Sequence, residues 1–180
     1  VKYCGACGAP TSVTIPPGDT FPRHVCQRCA TIHYQNPKIV VGCIPEWQNQ
    51  ILLCKRAIEP RYGTWTFPAG FMENHETIED AAIRETQEEA QTIVTLSQLY
   101  TIFSIPQVSQ VYMVFRGTLK EQDFGAGEES LEVKLFDLDH IPWEAMAFRV
   151  IVETLERYCQ DRGAGHFPIH VGTIHPSRTM

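Results

Sequence analysis

The sequence predicts a layered α/β domain with a small metal-held segment in front of it. Three observations carry this. β-rich runs alternate with two helical patterns, one early and one late, along the middle of the chain. Residues 1–32 are rich in Cys, Pro, Gly and Thr without helical periodicity, and a piece below roughly 40 residues needs a metal, a disulfide or a partner to fold. The whole is 180 residues, 43% hydrophobic and 20% charged, an ordinary globular composition with room for one domain and a small attachment. The expected parts are 1–32, then 33–161, then a tail, 162–180, either mobile or wrapped on a neighbour.

Each element has its own signal. Residues 38–44 and 51–57 are strand-like and flank the polar Gln48-Asn49-Gln50, which reads as a hairpin. Residues 64–67 form a short strand ending at Pro68-Ala69-Gly70. Thr77 and Asp80 make a capping-box signature that opens a helix to about Ala90. Residues 93–105, 110–119 and 133–136 read as further strands. Phe148, Ile151, Val152, Leu155 and Tyr158 recur at helical spacing, so a second helix covers the sheet.

Charge and hydropathy exclude several functions. No apolar run is long enough to cross a bilayer as a helix, so no membrane role is expected. Fifteen Lys and Arg against twenty-one Asp and Glu give a net charge of −6, a poor surface for nucleic-acid phosphates. Such a chain can still take a phosphorylated small molecule through intervening cations. Residues 1–10 lack a basic stretch followed by an apolar one, so no secretory signal is read there and a cytoplasmic setting is expected. The chain begins with Val, which leaves an upstream segment open.

That setting bears on the seven cysteines. Cys4 and Cys7, then Cys26 and Cys29, are two C-x-x-C units with eighteen residues between them. The spacing matches a four-cysteine structural zinc site. Disulfides or a redox pair are the alternatives, and the absent core favours metal. Cys43, Cys54 and Cys159 lie in apolar runs and read as buried small side chains.

Glu85, Glu88 and Glu89 stand at i, i+3 and i+4 on the first helix, so all three project from one face. Like charges at that spacing destabilise a helix by roughly 0.2–0.5 kcal/mol per pair. Arg84 could offset part of this on a solvated face, but a cation resolves it better. All-oxygen ligands suit magnesium or manganese beside substrate phosphates.

Gly70, Glu76, Arg84, Glu85, Glu88 and Glu89 fall in register with the pattern G-x5-E-x7-R-E-U-x-E-E-x-G-U, where U is a bulky apolar residue. The segment resembles the Nudix box. Gln91 replaces the second Gly, Thr86 the first apolar residue and Thr92 the last. That Gly would cap the helix in a left-handed conformation, where Gln costs up to about 1 kcal/mol. The stretches 51–57, 65–70 and 136–143 are also similar to Nudix hydrolases, and with the cysteine hooks the chain resembles the zinc-ribbon group that includes bacterial NADH pyrophosphatases. Residues 101–109 lack the proline-and-tryptophan motif of the NADH enzymes, whereas 33–37 and 110–115 look closer to plant plastid enzymes acting on FAD and ADP-ribose.

The resemblance implies an α/β/α sandwich with a mixed sheet behind a zinc ribbon. It implies hydrolysis of the pyrophosphate of a nucleoside diphosphate derivative, FAD or ADP-ribose, to AMP and a monophosphate. Glu85, Glu88, Glu89 and the Ala69 carbonyl would hold magnesium or manganese; Cys4, Cys7, Cys26 and Cys29 would hold zinc. Glu76 and Arg84 would brace the loop and helix. Arg56 would clamp the pyrophosphate, and Trp65, Phe103 and Tyr112 are candidates for stacking on the base. The base that activates water would be Glu132, just before a strand, or Glu129, with Glu128 beside it on a loop expected to be mobile after Gly125-Ala-Gly127; Glu85 is a third option. The partner is a dinucleotide or nucleotide-sugar, nucleic acid is disfavoured, and a homodimer is compatible. The competing class is a nucleotide-sensing or RNA-binding module that does not cleave.

Overall fold

The computed structural model describes residues 1–175, which divide into two units, Val1–Pro37 and the chain from Lys38 on. The first unit is an antiparallel sheet of β1 (Thr11–Thr14), β2 (Arg23–Cys26) and β3 (Ile32–His33), in that order. Its buried hydrophobic cluster is Cys4, Ala9 and Cys26, with Cys7 packed beside them, while Val13, Ile15 and Phe21 are exposed. Apolar burial this small cannot hold a fold, so the sulfurs must.

The second unit runs β4 (Lys38–Trp47), β5 (Gln50–Arg56), β6 (Trp65–Thr66), β7 (Ala69–Phe71), α1 (Ile78–Ala90), β8 (Val94–Ile105), β9 (Gln110–Leu119), β10 (Ser130–Asp137), α2 (Arg149–Ala164) and β11 (His170–Thr173). The sheet order is β10-β5-β4-β9-β8-β11, with β6 on β5 and β7 on β4. β4 pairs in parallel with β9, β11 in parallel with β8, and the other pairs are antiparallel, so the sheet is mixed.

Both faces are covered because the strands alternate. On β5, Ile51 and Leu53 point into a core shared with Val150, Ile151 and Leu155 of α2. Leu52 and Cys54 point into a second core with Ala81, Ala82 and Ala90 of α1. This is the expected α/β/α sandwich. Cys43 and Cys54 are buried as expected, and Cys159 is half-buried.

Helix α1 forms where its cap dictates. The Asp80 amide donates to Thr77 Oγ1 at 3.1 Å and the Thr77 amide to Asp80 Oδ2 at 3.3 Å, completing the capping box. Its small alanines let it lie close on β4 and β7. The helix ends at Gln91, which adopts the left-handed conformation (φ 49°, ψ 37°) that the departure from the box anticipates.

Part of the described stretch of the expected tail is regular structure. Asp161 lies inside α2, which continues to Ala164 and ends on Gly165 at φ 69°. Residues 170–173 then return as β11 at the sheet edge. Only four residues long and half exposed, this strand offers too little alternation to be read as one. Residues 176–180 of that tail lie outside the described residues. Among the described residues no helix is long and apolar enough to cross a membrane.

The left-handed Gln91 carries a testable cost. Gln91→Gly should raise the unfolding free energy by up to about 1 kcal/mol, less whatever glycine adds to the unfolded chain's entropy. Chemical denaturation measures this, and a destabilised variant would contradict the strain.

Candidate active site

In the first unit two turns bring the four sulfurs together. Gly8 at φ 71° and Ala30 at φ 57° each close a turn four residues after its first cysteine, through Gly8 N–H to the Cys4 carbonyl at 2.9 Å and Ala30 N–H to the Cys26 carbonyl at 3.2 Å. The ligand atoms of Cys4, Cys7, Cys26 and Cys29 all lie within 4.8 Å of one another. The amides of Ala6, Arg28 and Cys29 donate to sulfur at 3.4 Å. Hydrogen bonds from Thr31 pull the Cys29 thiol down to about 6. Four sulfurs at this spacing fit a tetrahedral soft metal.

The second unit gathers carboxylates on α1. Glu85 and Glu89 are buried, 8% and 6% exposed, while Glu88 is more open. Glu85 sits against the backbone of β7, where a side chain at Gly70 would collide with its carboxylate. Glu89 accepts the Ala69 N–H at 3.1 Å. That amide points away from β4, and in an extended residue the carbonyl shares the direction of its own N–H.

Arg84 ties these acids to the preceding loop. Its Nε and Nη2 hold both oxygens of Glu76 at 3.0 and 2.8 Å, and Nη2 also donates to the Phe71 carbonyl at 3.1 Å. Nη1 reaches Glu85 at 2.7 Å and Glu88 at 2.9 Å. The expected Glu76–Arg84 brace and the partial counter-charge are thus both present. One guanidinium cannot balance Glu76, Glu85 and Glu88 together, and it does not reach Glu89. The surplus of hard oxygen donors fits a divalent cation.

These groups open on a cleft of about 1000 Å³. Its wall includes Arg56, Ala69, Gly70, Glu85, Glu88 and Glu89 on one side, Glu128 and Glu129 beside them, and Tyr112, Ile105 and Phe148 among its apolar surface.

The comparisons agree with this geometry. The NUDIX domain model matches residues 36–155, and the Nudix N-terminal zinc-ribbon model matches 2–35. The chain belongs to the Nudix hydrolase family. A Nudix hydrolase from Nitrosomonas europaea of known structure is 54% identical, superposes with a TM-score of 0.94, and is matched over 98% of this chain and 100% of its own. An ADP-ribose pyrophosphatase from Methanocaldococcus jannaschii is 34% identical over 134 residues, 69% of this chain and 76% of the relative. The NAD-capped RNA hydrolase NudC of Vibrio cholerae is 28% identical over 90% of this chain, which spans 60% of that relative's length.

Not every expected residue of this Nudix chain reaches the cleft. Trp65 is buried against Phe136, ring centroids 4.9 Å apart, and Phe103 is buried in the α2-side core. Neither lines the cleft, because inward-facing aromatics of a covered sheet serve the core first. Glu132 is turned away as well: a register shift between Ser130 and Glu132 sets it beside Lys55, 3.8 Å off, with its side chain 49% exposed. Arg56 and Tyr112 do line the cleft. Arg56 donates to the Pro60 carbonyl at 3.1 Å and lies over the Phe148 ring at 5.3 Å.

The loop of Glu128 and Glu129 is tied by backbone hydrogen bonds on both sides. Gly125 and Gly127 donate to the carbonyls of Ala90 and Glu89 at 3.0 and 3.2 Å, so the loop caps the end of α1. Gly127 lies so close to the Glu88 carbonyl that a side chain would not fit. Ala57 N–H donates to the Glu129 carbonyl at 2.8 Å, locking the far end. The paired glycines were the signal for this, since close approach needs them. Sequence reasoning also missed Glu73, Arg149, Ile174 and His175 on the cleft wall.

Burial, opposed by the Ala69 amide, pushes the Glu89 carboxyl up from 4.5 to about 8. Glu85 is raised by burial too, against the pull of Arg84. A carboxyl raised by folding binds its proton more tightly in the folded state, so its stabilisation is present below about pH 4.5 and lost as pH rises toward 8. Glu76, held down to about 2 by Arg84, has the opposite sense but acts below about pH 4.5. Metal-free protein should therefore lose thermal stability between about pH 5 and 8, and Glu89→Gln should lose less. Parallel melting-point curves for the two proteins would refute this assignment.

Proposed function

We propose that the chain hydrolyses the pyrophosphate bond of an adenosine diphosphate derivative, ADP-ribose first, releasing AMP and a second monophosphate. The carrying observation is three carboxylates of one helix, two of them buried, facing a cleft large enough for a dinucleotide-sized molecule. The similarity to the Methanocaldococcus ADP-ribose pyrophosphatase supports ADP-ribose over FAD. The similarity to the Vibrio NudC supports a second reading, in which the pyrophosphate is that of an NAD-related group.

In this reading Glu85, Glu88, Glu89 and the Ala69 carbonyl would hold magnesium or manganese, which when bound supplies charge neutralisation for the diphosphate and acidifies water. Glu129 accepts the proton of the water that attacks one phosphorus. As the bond from that phosphorus to the bridging oxygen breaks, the departing phosphate leaves with the bridging electron pair. Arg56 offers the guanidinium that offsets negative charge gathering on the phosphate oxygens. Tyr112 gives the base an apolar face. The four cysteines would hold zinc in a structural role.

Glu88→Gln and Glu89→Gln should each lower kcat by at least about a hundredfold, yet melt in EDTA no lower than the parent chain, because like-charge repulsion is relieved. Glu129→Gln should lower kcat comparably, whereas Glu132→Gln should stay within about twofold of the parent. Full turnover in both Glu88→Gln and Glu89→Gln would sink the ligand assignment. Fresh protein should carry about one equivalent of zinc per chain, and Cys26→Ser should lose it and expose residues 1–37 to protease. Elemental analysis giving less than roughly half an equivalent would count against a structural zinc.

A further inference from the structure

The cleft crosses the sheet instead of running along a strand. Register aligns Phe71, Val40, Tyr112, Phe103 and Gly172 in one transverse row over β7, β4, β9, β8 and β11. Four strand spacings separate its ends, roughly 19 Å at about 4.8 Å each. The acidic face stands at the β7 end, where Ala69 meets Glu89 and Gly70 meets Glu85. At the other end the wall is the return of the chain after α2: Ile174 and His175 line the cleft there. Gln110 reaches the same region, since it pairs with Ile105 and the Ile174 amide continues the ladder to Ser104 at 2.9 Å.

This end is held from three directions. Gln107 Nε2 donates to the Ile174 carbonyl at 3.1 Å, and Arg149 Nη1 to the His175 carbonyl at 3.1 Å. Below them, His170 Nε2 lies 2.6 Å from Asp161 Oδ2, which also accepts the Tyr100 hydroxyl at 2.7 Å. Gly172 passes so near Phe103 that an added Cβ would stand 3.1 Å from its ring. Apolar burial accounts for Ile174, which is 6% exposed. It does not account for His175, whose side chain is exposed while its backbone is fastened to α2.

The fastened end presents two kinds of surface. Ile105, Tyr112 and Ile174 are apolar and suit the face of a flat ring. The Gln110 amide and the His175 imidazole are polar, and neither has a hydrogen-bond partner among the described residues. An amide carries a donor and an acceptor side by side, the pattern that pairs with N6–H and N7 of adenine and only half-pairs with a purine bearing oxygen at position 6.

We propose that the cleft end built by the segment after β11 selects the substrate by its base. The Gln110 amide and the His175 imidazole hydrogen-bond the ring edge of adenine, and Gln107 and Arg149 are positioning residues for the backbone that carries His175. The proposal rests on the hydrolase reading for turnover, and binding tests it separately.

The test compares ADP-ribose with its hypoxanthine counterpart, by kcat/KM with magnesium and by calorimetric Kd in EDTA. The parent chain should favour adenine by roughly tenfold or more in both measures. Gln110→Leu should bring that ratio toward one, and His175→Ala should weaken binding of ADP-ribose by roughly fivefold. Gln107→Ala should raise KM with little change in kcat, a split that loss of folded protein would not produce. Equal affinity of the parent chain for the two bases, or a Gln110→Leu ratio within about twofold of the parent, overturns the proposal. Adenine-selective binding without cleavage would overturn the hydrolase reading and leave this one standing. Cleavage without base preference would do the reverse, and neither binding nor cleavage would overturn both.

Discussion

Arg84 is the point on which the acidic cleft depends. Its planar fork grips Glu76 with two nitrogens, reaches Glu85 and Glu88 with the third, and ties the loop after β7 to the helix through the Phe71 carbonyl. A lysine could supply the charge but not three directed contacts from one rigid group. Without that fork, carboxylates at i, i+3 and i+4 would splay toward water and the loop would lose its hold on the helix. With it, Glu85 and Glu88 are aligned while Glu89 is left to burial and a single backbone amide.

Tension of this kind survives only where the backbone leaves no room to relax. Gly70 lets β7 press on the Glu85 carboxylate, and Gly127 lets the loop before β10 press on the last turn of α1. The two contacts clamp the acidic turn from opposite ends. The donors of Gly125 and Gly127 also satisfy the helix's terminal carbonyls, which a helix ending on a strained Gln91 leaves in need of partners. Residues that look like loop filler in the sequence thus fix the distances among Glu85, Glu89 and Glu129.

Much of this was legible beforehand. The alternation on β4 and β5, the Thr77 cap and the periodicity of α2 are local signals, and local signals survive translation into structure. The acidic stripe and the cysteine hooks were readable because spacing alone puts their side chains together. What was not readable depended on contacts between distant parts. A one-residue irregularity at the start of β10 decides that Glu129 lines the cleft while Glu132 pairs with Lys55. Trp65 and Phe103 carry the same apolar signature as Tyr112, and only the packing of α2 separates core from cleft wall. The strand β11 is too short and too exposed to declare itself, yet it joins the sheet through a parallel pairing that no local pattern encodes.

That pairing has a bearing on the order in which the molecule can assemble. β11 meets β8 across roughly seventy residues of chain, as β4 meets β9, and contacts of such long range are gained only after their loop-closure entropy has been met. Helix α1, its cap and the hairpin of β8 and β9 are near neighbours in sequence and can form among the early events. A chain with only its near-neighbour contacts would then own the acidic turn but lack both the β4–β9 floor and the far wall of the cleft. The cleft thus depends on distant pairings that the acidic turn itself does not need.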